Sequence, residues 1–170
     1  DMISQTDLHT ERLLLRPFRA GDVDDALAYR NDREFSRYLS HIPQPFERHH
    51  AEAFVALNMS ESWATSPTFG IEFAGKLIGT VNHEVDPPAR TAMLGYAIGR
   101  AWWGRGFATE ATRAMLRWSI ETYGLTRIWA STDLGNVRSQ RVLEKLGMQR
   151  EKIEDNEVHY GRSVGPLDFA

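Results

Sequence analysis

Between Thr91 and Gly124 the hydrophobic period of the sequence changes once, and this change restricts the fold more than any other feature. Thr68–Phe73, Lys76–Val85 and Thr91–Ile98 are strand-like runs, separated by Ala74-Gly75 and by Asp86-Pro87-Pro88. From Ala108 the apolar positions become Ala111, Met115, Trp118 and Thr122, with Glu110, Arg113, Arg117 and Glu121 opposite. That spacing predicts a helix of about four turns, stopped by Gly124. Upstream, Arg12–Phe18 predicts a first strand closed by Pro17, and Asp22 the N-cap of a helix with Asp25 at the capping-box position. A short helix is expected over Glu34–Leu39 and another over Glu47–Met59. Downstream come a strand at Arg127–Ser131, a helix at Arg138–Leu146 stopped by Gly147, and a closing hairpin from Met148–Glu154 and Val158–Val164. The order predicts an α/β fold with a mixed sheet. With no repeat or linker, residues 1–170 are expected to form a single domain.

Composition removes several kinds of chemistry. The chain has no cysteine, so a thiol nucleophile, a Cys-ligated zinc, an iron–sulfur cluster and disulfides are excluded. No apolar run approaches the roughly 20 residues of a membrane span, and no signal-peptide pattern opens the sequence, so a cytoplasmic protein is expected. The net charge of −3 gives no overall argument for nucleic acid. Residues 101–150, however, hold eight basic and four acidic groups, a balance of +4 that leaves −7 for the remainder. Such a segment suits a phosphorylated ligand, or is simply a solvated helix face.

Two segments carry chemical information. Gly95–Ala111 (GYAIGRAWWGRGFATEA) passes from strand to helix through Gly104 and Gly106. Paired glycines admit a ligand close to the backbone, and the unpaired N–H groups of the following helix make an anion site, with Arg105 adding charge. A plain tight turn has the same sequence. The third glycine of a dinucleotide fingerprint is absent. In Asn136–Met148 (NVRSQRVLEKLGM), Asn136 precedes a helix and Ser139 lies in its first turn, where both are also ordinary capping residues. Gly70–Lys76 imitates a P-loop, but Leu77 replaces its Ser/Thr and the segment lies within a predicted hairpin turn.

Together these segments make the chain resemble the GNAT N-acetyltransferase superfamily, and within it the RimJ/RimL type that acetylates ribosomal-protein N-termini. The resemblance rests on Thr10–Pro17 (TERLLLRP), Leu77–Thr80 (LIGT), Gly95-Tyr96 and Trp103–Ala111 (WGRGFATEA). Asn136-x-x-Ser139 and Glu144–Gly147 (EKLG) complete it. It implies a GNAT fold: a mixed, mostly antiparallel central sheet, splayed between two parallel strands (Met93–Ile98 and Arg127–Ser131) and flanked by helices. It implies acetyl-CoA as co-substrate and no metal. Main-chain groups around Ile98 would bind the pantetheine arm, and the turn Gly104, Arg105, Gly106, Phe107, Ala108, Thr109 the pyrophosphate. Asn136 would contact the arm, and Ser139 would lie near the sulfur.

By the same resemblance the reaction is acetyl transfer to a primary amine, most naturally the α-amine of a protein or peptide. Polyamines, antibiotics or amino-acid analogues are the alternative acceptors, and a non-catalytic acyl-CoA-binding module the alternative of another class. Many relatives have a tyrosine where this chain has Leu143, so a phenol donor is missing there and Ser139 is its expected substitute. Glu84 is expected as the base, acting through water, with His83 second; neighbours on a strand cannot both face one cleft. Glu72, Glu154, Asp155 and Glu157 remain further acidic candidates. His49-His50 point apart on a helix with no third ligand expected, and Trp102-Trp103 suit core, cleft wall or interface equally. No nucleic-acid or membrane partner is expected, and the protein is read as a monomer or homodimer.

Overall fold

The computed structural model describes residues 3–170. Eight strands form one sheet: β1 (Leu8–His9), β2 (Leu14–Arg16), β3 (Thr68–Phe73), β4 (Lys76–Asp86), β5 (Thr91–Ile98), β6 (Arg127–Asp133), β7 (Gln149–Glu154) and β8 (Glu157–Ser163). Their spatial order is β1-β2-β3-β4-β5-β6-β8-β7, and every neighbouring pair is antiparallel except β5 with β6. Four helices cover it: α1 (Val23–Arg30), α2 (Arg48–Ser60), α3 (Phe107–Tyr123) and α4 (Val137–Lys145). No helix among the described residues is long and apolar enough to cross a membrane.

The strand period assigns the helices to faces. Adjacent residues of β4 and β5 enter different cores: Ile78 and Ile98 pack with Phe107, Ala111 and Met115 of α3, whereas Leu77 and Ala97 pack with the α1–α2 cluster. Beneath the other half of α3, Leu116 and Ile120 meet Leu94, Ile128, Leu143 and Tyr160. α3 and α4 thus lie on one face, and α1 and α2 on the other.

Several expectations change in detail. Glu34–Leu39 forms successive turns rather than a helix, with Phe35 buried against Tyr29 at a centroid distance of 5.2 Å. The buried face of α3 runs through Thr112 and Ser119 as well as Ala111 and Met115, because their hydroxyls donate to Ala108 and Leu116 carbonyls inside the helix. The Asp22 carboxylate does not cap α1; it accepts from Arg16 Nη1 and Nη2 at 3.0 and 2.7 Å and from Arg19 N–H at 2.9 Å. Those bonds, and a further one to Glu72, raise the Arg16 pKa against its burial. Gly70–Lys76 is the end of β3, a hairpin turn at Ala74-Gly75 with both residues at positive φ, and the start of β4.

Candidate active site

The site begins where the one parallel pair ends. β5 and β6 are in register only from Thr91–Arg127 to Met93–Trp129. Beyond that point they part. On its other edge β5 stays paired with β4 as far as Gly79–Ile98, and Gly99 N–H donates to Ile78 C=O at 2.7 Å. In an antiparallel ladder the bonding residues alternate. Leu94, Tyr96 and Ile98 therefore direct their main-chain N–H and C=O groups away from β4, into the gap beside β6. The Ile98 carbonyl is taken by Trp103 Nε1 at 2.7 Å, which fixes the indole at the mouth of the gap.

α3 starts at that mouth. Gly104 and Gly106 have φ of +75° and +80°, a region that favours glycine, and Phe107 follows as the first helical residue. The first intrahelical bond comes from Glu110 N–H to Gly106 C=O at 3.0 Å, so the Phe107, Ala108 and Thr109 N–H groups have no acceptor within the helix. The N-terminal segment braces this turn. Glu110 accepts from Thr10 Oγ1 at 2.6 Å, Arg12 N at 3.0 Å and Arg12 Nε at 2.8 Å. Burial pushes the Glu110 carboxyl up, but these bonds outweigh it and hold it below its usual range.

A cleft of about 450 Å³ runs along these elements, lined by Tyr96–Ile98, Trp102–Gly104, Gly106–Thr109, one face of α4 and the segment 34–39. Arg105 does not line it, contrary to expectation. Its guanidinium lies over the Phe73 and Phe107 rings at 5.0 and 4.9 Å, so only its backbone belongs to the turn. The cleft's cations are Arg37, Arg138, Arg141 and Lys145, and Glu34 is its one carboxylate among the described residues.

At the inner end, Asn136 Oδ1 accepts the Ser139 N–H at 3.2 Å, so Asn136 is the N-cap of α4 while also lining the cleft. Ser139 Oγ plays no part in that cap. It lies 2.8 Å from Tyr96 Oη, which also donates to the Ser139 carbonyl at 2.9 Å. A phenol is thus present after all, supplied by β5 rather than by α4, where Leu143 is buried in the core. Burial is the main cause that raises the Tyr96 pKa, so the phenol stays protonated at neutral pH. Sequence period alone gave no sign that a strand residue would reach the helix start; only the Gly95-Tyr96 pair in the resemblance touched it.

The acidic candidates lie elsewhere. Glu84 is exposed, accepts from Ser66 Oγ at 2.8 Å and is paired in register with Met93, five positions from Ile98. It does not line the cleft. His83 is fully buried, both ring nitrogens are without a hydrogen-bond partner, and burial lowers its pKa to about 3. Glu72 is bound to Arg16 at 2.8 Å, and Glu154 to Lys152 at 2.9 Å. Asp155 occupies the β7–β8 turn at positive φ, with Glu157 opening β8. Glu47 does stand within reach of His49 and His50 as a third group, but His50 Nδ1 already accepts from Glu47 N–H at 2.9 Å at the start of α2. Trp102 and Trp103 are both cleft wall, and each also packs against the core.

Comparison with known proteins points the same way. A family model described as an acetyltransferase (GNAT) domain matches residues 12–149. The uncharacterized N-acetyltransferase p20 of Bacillus licheniformis is 29% identical over 167 residues, covering 96% of this chain and 94% of its own. The ribosomal protein uS5-alanine N-acetyltransferase of Escherichia coli is 35% identical over 78 residues, 45% of this chain and 40% of its own. The solved structure of the microcin C7 self-immunity acetyltransferase MccE, in complex with acetyl-CoA and AMP, matches with a TM-score of 0.80 over 91% of this chain and 94% of that one, at 15% identity. The match reaches from Arg12, which braces the turn, through the splayed pair and α4 to the start of β7, and this chain belongs to the GNAT acetyltransferase family.

Proposed function

We propose that this acetyltransferase uses acetyl-CoA to acetylate the α-amine of a protein or peptide N-terminus. The observation that carries the reading is the junction of an anion-binding helix start with a half-buried hydroxyl pair in one cleft: Gly104 and Gly106–Thr109 at one side, Ser139 and Tyr96 at the other. The residues fit the cofactor by their donors. Backbone N–H groups of Phe107, Ala108 and Thr109 suit a pyrophosphate, and the main-chain groups of Tyr96 and Ile98 suit an amide-bearing arm. Acetyl-CoA would supply the activated acetyl group, with CoA as the thiol leaving group.

The chain's own groups then move protons. A main-chain N–H at the gap stabilises negative charge on the acyl oxygen during attack. Ser139 Oγ donates its proton toward the departing sulfur and regains one from the attacking nitrogen, which loses it on becoming an amide, while Tyr96 holds that hydroxyl in place. Glu34 is the carboxylate available in the cleft to receive a cationic amine. An α-amine, with a pKa of about 8, is partly neutral near pH 7, whereas a lysine amine at about 10.4 is almost wholly charged. A site without a buried base therefore matches an α-amine. The relative that acetylates an alanine of ribosomal protein uS5 supports that acceptor.

The test is thiol release from acetyl-CoA against peptides with free N-termini, N-terminally blocked lysine peptides, polyamines and aminoglycosides. Turnover confined to free N-termini is expected. Turnover only on small amines would replace the acceptor class. CoA binding with no acceptor-dependent release would instead identify a sensor module.

A further inference from the structure

The helix start that would face the pyrophosphate has a resident anion of its own. Glu110 lies in the first turn of α3, and its N–H makes the first intrahelical bond, to Gly106 C=O. A carboxylate so placed competes with a bound anion for the positive end of the helix dipole, and repels it. Resting on the acetyl-CoA reading above, we infer that Arg12 is a positioning residue of the cofactor site: it cancels the charge of Glu110 and so keeps the turn before α3 open to the pyrophosphate.

Both carboxylate oxygens of Glu110 are taken up by the N-terminal segment. Oε2 accepts from Thr10 Oγ1 and from Arg12 N–H, and Oε1 accepts from Arg12 Nε. Neither oxygen is spent on the free N–H groups of Phe107, Ala108 and Thr109. The Arg12 guanidinium stands against the turn as well, 4.3 Å from the centre of the Phe107 ring, with Nη2 3.6 Å from where a Cβ on Gly106 would lie. Arg12 does not line the cleft, so it acts through Glu110 rather than on the ligand. With the Glu110 side chain 19% exposed, water screens the pair only in part. The carboxyl is held below its usual range, so it is ionised at neutral pH and needs its counter-charge there.

This arrangement separates geometry from charge. Two of the three bonds come from the Thr10 hydroxyl and from the main-chain N–H of residue 12, and neither depends on the side chain at position 12. A chain without the guanidinium therefore keeps Glu110 tethered but leaves its charge bare within one helical turn of the anion site. The partners are 98 residues apart in sequence. Thr10 and Arg12 of the TERLLLRP opening thus serve the cofactor site without touching the cleft.

Titration calorimetry with CoA on wild type, R12M, R12K, E110Q and R12M/E110Q tests the inference. R12M is expected to bind roughly three- to ten-fold more weakly, the scale of one charge near a helix end, and the deficit should shrink as salt rises. R12K keeps the charge and should stay close to wild type. E110Q should bind no more weakly than wild type, and R12M/E110Q should recover most of the affinity lost in R12M. A purely structural brace would behave otherwise, because the second loss would add to the first or leave it unchanged. Circular dichroism checks that the variants fold, and E110Q carries the test should R12M not do so. Wild-type affinity in R12M, a weakened E110Q, or a double variant no tighter than R12M would overturn the role of Arg12 and leave the cofactor reading intact. Failure of the wild type to bind CoA would remove the cofactor reading itself.

Discussion

The phenolic oxygen of Tyr96 stands 2.8 Å from Ser139 Oγ, joining the middle of β5 to the first turn of α4 across the cleft. In the proposed mechanism these two hydroxyls act as one donor, so removing either should lower turnover more than cofactor binding. Y96F is expected to reduce kcat about ten-fold and S139A by about as much or more, the range for positioned proton transfer, with the double variant far from additive. Steady-state kinetics with CoA affinity measured alongside decides the matter. A kcat unchanged in S139A would leave Ser139 a structural residue of α4.

Gly106 carries a different constraint. A Cβ built there would meet only Arg12 Nη2 at 3.6 Å, so space is available; the backbone at φ +80° is what resists a side chain. G106V should therefore re-route the turn at a cost of about 1–2 kcal/mol, and misdirect the N–H groups of α3. The expected result is weaker CoA binding in a protein that still folds. Undiminished affinity would sink the pyrophosphate assignment.

His83 should govern stability in mild acid. Its imidazole titrates near 6.5 when unfolded but only at about 3 in the buried site. Between those values the unfolded chain holds the extra proton, so stability falls as pH drops below 6.5, by up to about 1.4 kcal/mol per pH unit from this residue alone. H83L removes a buried polar group that has no partner. It should be as stable as wild type at pH 7 and visibly more stable at pH 5. Denaturant midpoints at the two pH values test this; parallel acid losses in both proteins would refute it.

How much of this was legible beforehand depends on whether a property is local. The hairpin at Ala74-Gly75, the strands around it and the helix ending at Gly124 follow from turn chemistry and period, and all are present with ends displaced by a residue at most. The GNAT resemblance also gave the splayed parallel pair correctly. Local rules failed where a side chain's partner is distant in sequence. Arg105 was expected in the cleft on its charge, but Phe73, about 30 residues earlier, holds it outside. Alternation put Glu84 and His83 on opposite faces, as found, yet could not say that Glu84 sits five rungs from Ile98 or that His83 is fully buried. Leu8–His9 was missed because two residues have no period to read. Glu34 escaped notice because its segment was read as a helix, and the turns actually formed carry it into the cleft.

Glu34 yields its own expectation. As the one carboxylate lining the cleft among the described residues, it should favour a positively charged acceptor. E34Q is expected to raise the acceptor KM several-fold, by about 1 kcal/mol for a partly solvated ion pair, while the KM for acetyl-CoA stays put. A variant in which both constants move together would place Glu34 outside acceptor recognition.

Because β5 and β6 keep company for only three residue pairs, the two halves of the sheet are sewn together by a short seam. Whatever lies in the gap and bonds to Tyr96 and Ile98 extends that seam and behaves as part of the fabric. A ligand at a hundred times its Kd adds about 2.7 kcal/mol to the folded state. For a molecule built this way, acetyl-CoA bound as proposed would be a strut of the fold as well as a source of acetyl groups, and the empty protein would melt at a lower temperature than the loaded one.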